Sequence, residues 1–225
     1  MPPPLAATST GTWRRPMMPD PSGWPGAPDP SSGGRGRPWM DRLQAQLAEQ
    51  RIVLLRGVLD DDLAGQVAAQ LMLLDASGDD AVTLHVDSGG GPLHAAFTVI
   101  DTIDLLGVPV ETVCVGRVEG AAVGVVAAAP RRQAARHARF RLSEPTSSVA
   151  GRAAELEAWA EHHQAQLARF VERLALATGR PAEHVEADLS IGRWLDAPGA
   201  VRYGLVDGLW EPGASPRLPL GFWPG

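Results

Sequence analysis

Lysine and asparagine are absent from this 225-residue chain, so every basic side chain apart from histidine is arginine. GC-rich coding accounts for that bias, and it points to no particular chemistry. Cysteine occurs once, at Cys114, which excludes an internal disulfide and any multi-cysteine metal site. No apolar run approaches the ~18 residues of a membrane span. An excess of basic charge is also missing: 20 Lys and Arg face 26 Asp and Glu, a net charge of −6, so no broad electrostatic footprint for nucleic acid exists. The opening Met1-Pro2-Pro3-Pro4-Leu5 lacks the basic start and continuous apolar core of a secretory signal, and a cytoplasmic location is the expectation. What is present is enough chain for one substantial core flanked by tails.

Residues 1–37 are crowded with Pro, Gly, Ser and Thr and show no apolar period, so they read as a disordered leader. The tail, 212–225, has the same character, with Phe222 and Trp223 as candidate docking points. The body between, 38–211, alternates strand and helix patterns. Ile52–Leu55 reads as a buried strand. Asp60–Leu74 reads as a helix with Leu63, Val67, Leu71 and Leu74 on one side and acidic residues at its start. Val82–Val86 follows as a strand, then a Gly89-Gly90-Gly91-Pro92 break and a helix through Phe97, Ile100 and Ile103. Val110–Val115 is a third strand, and Gly120–Ala129 a small-residue helix. This alternation predicts an α/β layered fold on a largely parallel sheet with right-handed crossovers. About 151–178, Leu156, Trp159, Leu167, Phe170, Val171 and Leu174 recur at helical spacing. A helix that long, roughly 40 Å, overreaches a small sheet. Trp159, Leu167 and Phe170 are therefore expected to meet another subunit.

The order of these features resembles the proteolytic subunit of the Clp protease, within the fold shared with crotonases. Gln50-Arg51-Ile52-Val53-Leu54-Leu55-Arg56-Gly57 is similar to that family's E-R-I-I-F-L-G segment, and His85-Val86-Asp87-Ser88-Gly89-Gly90-Gly91 to its Y-I-N-S-P-G-G. Val113-Cys114-Val115-Gly116 is similar to I-C-V-G, and Thr178-Gly179-Arg180-Pro181 through Arg202-Tyr203-Gly204-Leu205-Val206-Asp207 to the terminal T-G-Q-P and E-Y-G-L-I-D. The resemblance implies a Clp/crotonase-like β-α-β fold with a protruding handle helix.

It also implies serine-peptidase chemistry, which needs a hydroxyl nucleophile, an imidazole base and an orienting carboxylate. By the same resemblance Gly120 stands at the serine, Ser143 at the histidine and Gly192 at the aspartate. Thr112 lies on the preceding strand, His137 is six residues away from the histidine position, and Asp188 is a full turn upstream of Gly192. None is a substitute, and the expectation is a catalytically impaired subunit. Gly90 and the Ala121 amide would line the family's oxyanion hole, although the glycines also suit a tight strand-to-helix turn. A structural or regulatory place in a Clp proteolytic ring is then implied: heptameric rings stacked in pairs through the handles and served by an ATP-driven unfoldase. No cofactor, metal, nucleic acid or membrane partner is implied.

Particular residues also carry other resemblances. Asp87-Ser88-Gly89-Gly90 echoes the nucleophile segment of chymotrypsin-like proteases, but the α/β pattern and the absence of upstream partners argue against it. Val118-Glu119-Gly120-Ala121 resembles a crotonase segment, with Glu119 as an acid or base in an acyl-coenzyme A enzyme. Glu119 reads more simply as a helix-start carboxylate. An inactive homomeric peptide-binding ring is a further alternative. The run Arg131, Arg132, Arg136, Arg139 and Arg141 lacks interleaved aromatics and is expected to be a solvated or intersubunit face paired with acids such as Glu155 and Glu157. His162 and His163 are adjacent on a helix, point apart and read as surface residues.

Overall fold

The computed structural model describes residues 38–145 and 149–210, with side chains described from Leu43 onward; the leader 1–37 and the tail 212–225 lie outside the described residues. Helix α1 (Pro38–Glu49) leads into β1 (Ile52–Gly57), α2 (Asp61–Ser77), β2 (Val82–Ser88), α3 (Leu93–Leu105) and β3 (Val110–Glu119). Then come α4 (Ala121–Ala128), β4 (Arg131–Ala134), β5 (Arg139–Leu142) and the long α5 (Ala153–Thr178). The chain closes with α6 (Ala182–Ile191), β6 (Arg193–Asp196), α7 (Ala197–Tyr203) and β7 (Gly208–Leu209). This is the mixed α/β architecture that the alternating pattern predicts.

Strands run in the order β1-β2-β3-β4-β7, all parallel. Alternation along β1 and β2 puts Val53, Leu55, Val82, Leu84 and Val86 into the core, where α2, α3 and α4 supply Val67, Leu71, Leu74, Val99, Ile100 and Val123. The start of α2 follows from its cap: Asp60 is extended, and its carboxylate accepts the Leu63 amide at 2.9 Å, satisfying an amide that the helix leaves unpaired.

Strand β3 is longer than its apolar run. It continues through Gly116 (φ 71) to Glu119 and forks there: Glu111–Cys114 pair with β4, whereas Arg117–Glu119 pair with β5. A register shift against β2 between Val86 and Ser88 marks the bend. Strand β5 in turn takes β6 antiparallel, Phe140 opposite Leu195 and Arg141 opposite Trp194. Beyond the fork the end of β3 keeps β2 on one side, Val118 opposite Ser88, takes β5 on the other, and carries the β3–α4 turn at its tip.

The arginine run thus lies on two strands, Arg131 and Arg132 on β4 and Arg139 and Arg141 on β5, with Arg136 in the turn between them. Arg131 pairs with Glu111 at 3.2 Å, and Arg132 with Asp207 at 2.7 Å. The expected pairing with Glu155 and Glu157 is not the one formed: Glu155 instead joins Arg152 in a capping box at the start of α5.

Candidate functional site

The β3–α4 turn carries the site. Gly120 takes φ 52 and ψ −129 as the N-cap of α4, a conformation that side chains rarely adopt. Its amide donates to the Arg141 carbonyl at 3.2 Å, which fixes the turn against β5. A Cβ on Gly120 would stand 3.8 Å from Ser143 Oγ and 4.0 Å from the Gly90 Cα. Gly90, with φ 85, presses on the same turn: a Cβ there would come within 2.6 Å of the Glu119 carbonyl oxygen and 3.3 Å of the Ala121 amide nitrogen. Gly90, Gly120, Ala121 and Ser143, far apart in sequence, therefore meet at one point. Glycine at position 90 is required by both the positive φ and the close backbone approach.

Two donors were expected at this point, and they differ. Ala121 supplies the first amide of α4, one of those a helix leaves without an intrahelical acceptor. The Gly90 amide is already committed, donating to Ser88 Oγ at 3.1 Å. Ser88 itself is fully buried at the end of β2, and strand alternation puts it on the opposite face from His85. It holds the glycine turn and has no base within reach on its own strand.

A model of the Clp protease family matches residues 34–213. The chain is 30% identical over 174 residues to "ATP-dependent Clp protease proteolytic subunit 2" of Thermobifida fusca, covering 76% of this chain and 86% of that protein. It is also 30% identical over 190 residues to "ATP-dependent Clp protease proteolytic subunit 3" of Streptomyces avermitilis, covering 84% and 85% respectively. The chain belongs to the Clp protease family.

In this Clp family member the third expected site position, Gly192, faces Arg141. It is the left-handed C-cap of α6 (φ 69), and a Cβ there would meet Arg141 Nη2 at 3.2 Å and Nε at 3.4 Å. The Arg141 guanidinium lies over the Trp194 ring, 5.4 Å from its centroid, and its buried Nε has no hydrogen-bond partner among the described residues. A cation thus fills the space beside Gly192. Sequence reasoning missed Arg141 as part of this site, because its contact with Gly192 joins β5 to the end of α6.

Asp188 has a different employment. It is buried, accepts from Tyr203 Oη at 2.9 Å and from Arg193 Nη1 at 2.9 Å, and ties α6 to β6 and α7. Burial, with the Asp188 carboxylate beside it, pushes the Tyr203 phenol well up, so the pair is a fixed hydrogen bond at neutral pH. Burial likewise pushes the Cys114 thiol up, which keeps it protonated and unreactive. Glu119 closes β3, opposite Arg141 in register, and is not a residue of the first turn of α4.

The long helix α5 divides the expected interface residues. Phe170 is fully buried within its own subunit: Gly124 lets its ring in, since a Cβ on Gly124 would lie 2.3 Å from Phe170 Cε2. Phe170 therefore belongs to the core, a correction to its reading as an interface residue. Leu167 packs half-buried against that core. Trp159 lies on the outer part, where no residue from Ala153 to Gln166 is buried, and stacks on His163 with ring centroids 4.8 Å apart. Among the described residues no cluster of His, Cys, Asp or Glu is arranged to hold a metal ion, and no helix is long and apolar enough to cross a membrane.

Proposed function

We propose that this Clp family member is a ring subunit that does not itself cleave peptides and serves as a structural or regulatory part of a Clp proteolytic assembly. The observation that carries the reading is the β3–α4 turn, where a glycine faces a serine hydroxyl. The turn offers an amide donor from Ala121 but neither a nucleophile on residue 120 nor an imidazole on residue 143. Backbone donors alone polarise a carbonyl without supplying the attacking group. The guanidinium beside Gly192 supports the same reading, because a cation at that place would repel an imidazolium rather than stabilise it.

The partners that fit are other Clp proteolytic subunits, in heptameric rings stacked through α5, and an ATP-driven Clp unfoldase in the cytoplasm. The relatives' names describe ATP-dependent proteolytic subunits, and the outer, unburied half of α5 suits ring-to-ring contact. The purified chain should leave short fluorogenic peptides uncut and take no label from a serine-directed fluorophosphonate. Turnover that such a probe abolishes would sink the proposal.

A further inference from the structure

Beyond the fork of β3, strands β3, β5 and β6 form a small face of their own. Val118 and Phe140 are opposite each other and buried, with Leu195 next in register. Strand alternation therefore puts Arg117 and Glu119, Arg139 and Arg141, and Trp194 and Asp196 together on the other face. Register arranges them in two rows: Arg117, Arg139 and Asp196, then Glu119, Arg141 and Trp194. Neighbouring strands stand about 4.8 Å apart and alternate residues of one strand about 6.6 Å, so the three guanidinium groups share one small area. Arg117 and Arg139 are cross-strand neighbours of like charge, a pairing that by itself weakens a sheet.

Among the described residues Arg117, Arg139 and Arg141 form no ion pair, whereas Arg56, Arg131, Arg132, Arg152, Arg173 and Arg193 each have a carboxylate partner. Asp196 is otherwise engaged, accepting the Gly199 amide at 2.7 Å as the cap of α7. The segment after β5, Thr146-Ser147-Ser148, brings no acid. The Arg117 guanidinium lies against the glycine turn, where a Cβ on Gly89 would stand 3.3 Å from its Cζ. Arg141 is half-buried, braced between Gly192 and the Trp194 ring, and its buried Nε is unmet. Bracing strips the guanidinium of water, and an unmet donor on a half-buried cation calls for an anion to complete it. The guanidinium fork matches planar oxyanions. Charge decides which kind: three arginines against Glu119 and Asp196 leave one net positive charge, which suits a monoanionic carboxylate better than a phosphate group of about −1.5 to −2. Trp194, 58% exposed, offers an apolar ring to the chain that carries the carboxylate.

We propose that the outer face of β3, β5 and β6 beyond the fork binds the carboxylate of a peptide, held by Arg141, Arg117 and Arg139, with Trp194 packing on the peptide beside it. A C-terminus and an Asp or Glu side chain present the same chemistry to this face. The site is independent of whether the chain cleaves peptides.

The test is isothermal titration calorimetry of the full chain at low salt with three peptides. Acetyl-Ala-Ala-Leu-Glu amide carries a side-chain carboxylate, acetyl-Ala-Ala-Leu-Gln with a free C-terminus carries an α-carboxylate, and acetyl-Ala-Ala-Leu-Gln amide carries none. At least one carboxylate peptide should bind tenfold or more tightly than the neutral one, and which of them does so names the source. Arg141→Met should weaken that binding at least tenfold, with circular dichroism showing the fold intact. The pair Arg117→Gln/Arg139→Gln, both exposed positions, should weaken it similarly without touching a buried group. Arg131→Gln, on β4, should leave it unchanged. Equal affinity for all three peptides, binding indifferent to Arg141→Met and to the exposed pair, or an equal loss in Arg131→Gln would each overturn the proposal. Displacement by inorganic phosphate at a lower concentration than by acetate would overturn the carboxylate assignment. Mass spectrometry of the recovered peptide keeps the two proposals apart: cut peptide would count against the non-cleaving reading and leave the affinity comparison standing.

Discussion

The two halves of α5 share one continuous backbone and have opposite attachments. From Leu167 to Thr178 the helix is part of the body: Phe170, Val171 and Leu174 are buried, Gly124 of α4 makes room for the Phe170 ring, and Arg173 reaches Asp104 of α3 at 2.7 Å. From Ala153 to Gln166 nothing is buried, and order comes from the Arg152–Glu155 capping box and the Trp159–His163 stack. Amphipathic spacing is similar in both halves, so periodicity alone does not say whether a stripe faces its own core or another molecule. What decides is the partner: a glycine on the neighbouring helix in one case, and open surface in the other.

Substitutions should separate the halves by magnitude. Phe170→Glu removes a buried ring and leaves an unpaired charge, which should cost about 4 kcal/mol or more and abolish cooperative unfolding by urea. Gly124→Ala forces a methyl against the same ring and should cost about 1–3 kcal/mol, seen as a lower urea midpoint with unchanged slope. Asp104→Asn breaks the partly exposed pair with Arg173 and should cost no more than about 1 kcal/mol, an effect that shrinks in high salt. Trp159→Glu should change subunit stability by less than about 0.5 kcal/mol yet lower the assembly state in sedimentation velocity. If it unfolds the subunit as Phe170→Glu does, the division between the halves is wrong.

The smallest effect concerns pH. Hydrogen bonds from Arg152 hold the Glu155 carboxyl below the usual carboxylate range. A carboxyl depressed in the folded state stabilises it above the unfolded-state value, and that contribution is lost as pH falls through the folded value. Acidification should therefore fray the first turn of α5, visible in amide exchange, while protection at Phe170 and Leu174 stays unchanged. Loss of protection in both at the same pH would show the helix to be one cooperative unit.

Much of the fold was legible because apolar alternation and helical spacing coincide with burial at Val53, Leu55, Leu84, Val67, Leu71 and Ile100. The arginine run misled because charge outweighed pattern. Arg139-Phe140-Arg141-Leu142 alternates with period two, Phe140 and Leu142 are buried, and it is strand β5. The extension of β3 to Glu119 was hidden because its apolar run ends at Val115, whereas Gly116 is a bend within the strand. At the site, residue types alone could not bring Gly120 to Ser143, since glycine has no chemistry to search for; only the ordered resemblance joined them. Arg141 was readable as charge but not as the neighbour of Gly192, because that contact is made by a C-cap in another helix.

Gly120 has a consequence for how this chain could change over time. Its backbone, at φ 52 and ψ −129, is relaxed only without a side chain; any other residue there would hold roughly 1 kcal/mol or more of strain. A hydroxyl-bearing residue introduced at 120 would thus destabilise the turn at once, and would gain nothing until an imidazole also appeared at 143. With a carboxylate also needed at 192, three substitutions would have to arrive, the first of them through a less stable form. The backbone of this turn therefore selects for glycine whatever chemistry its neighbours carry.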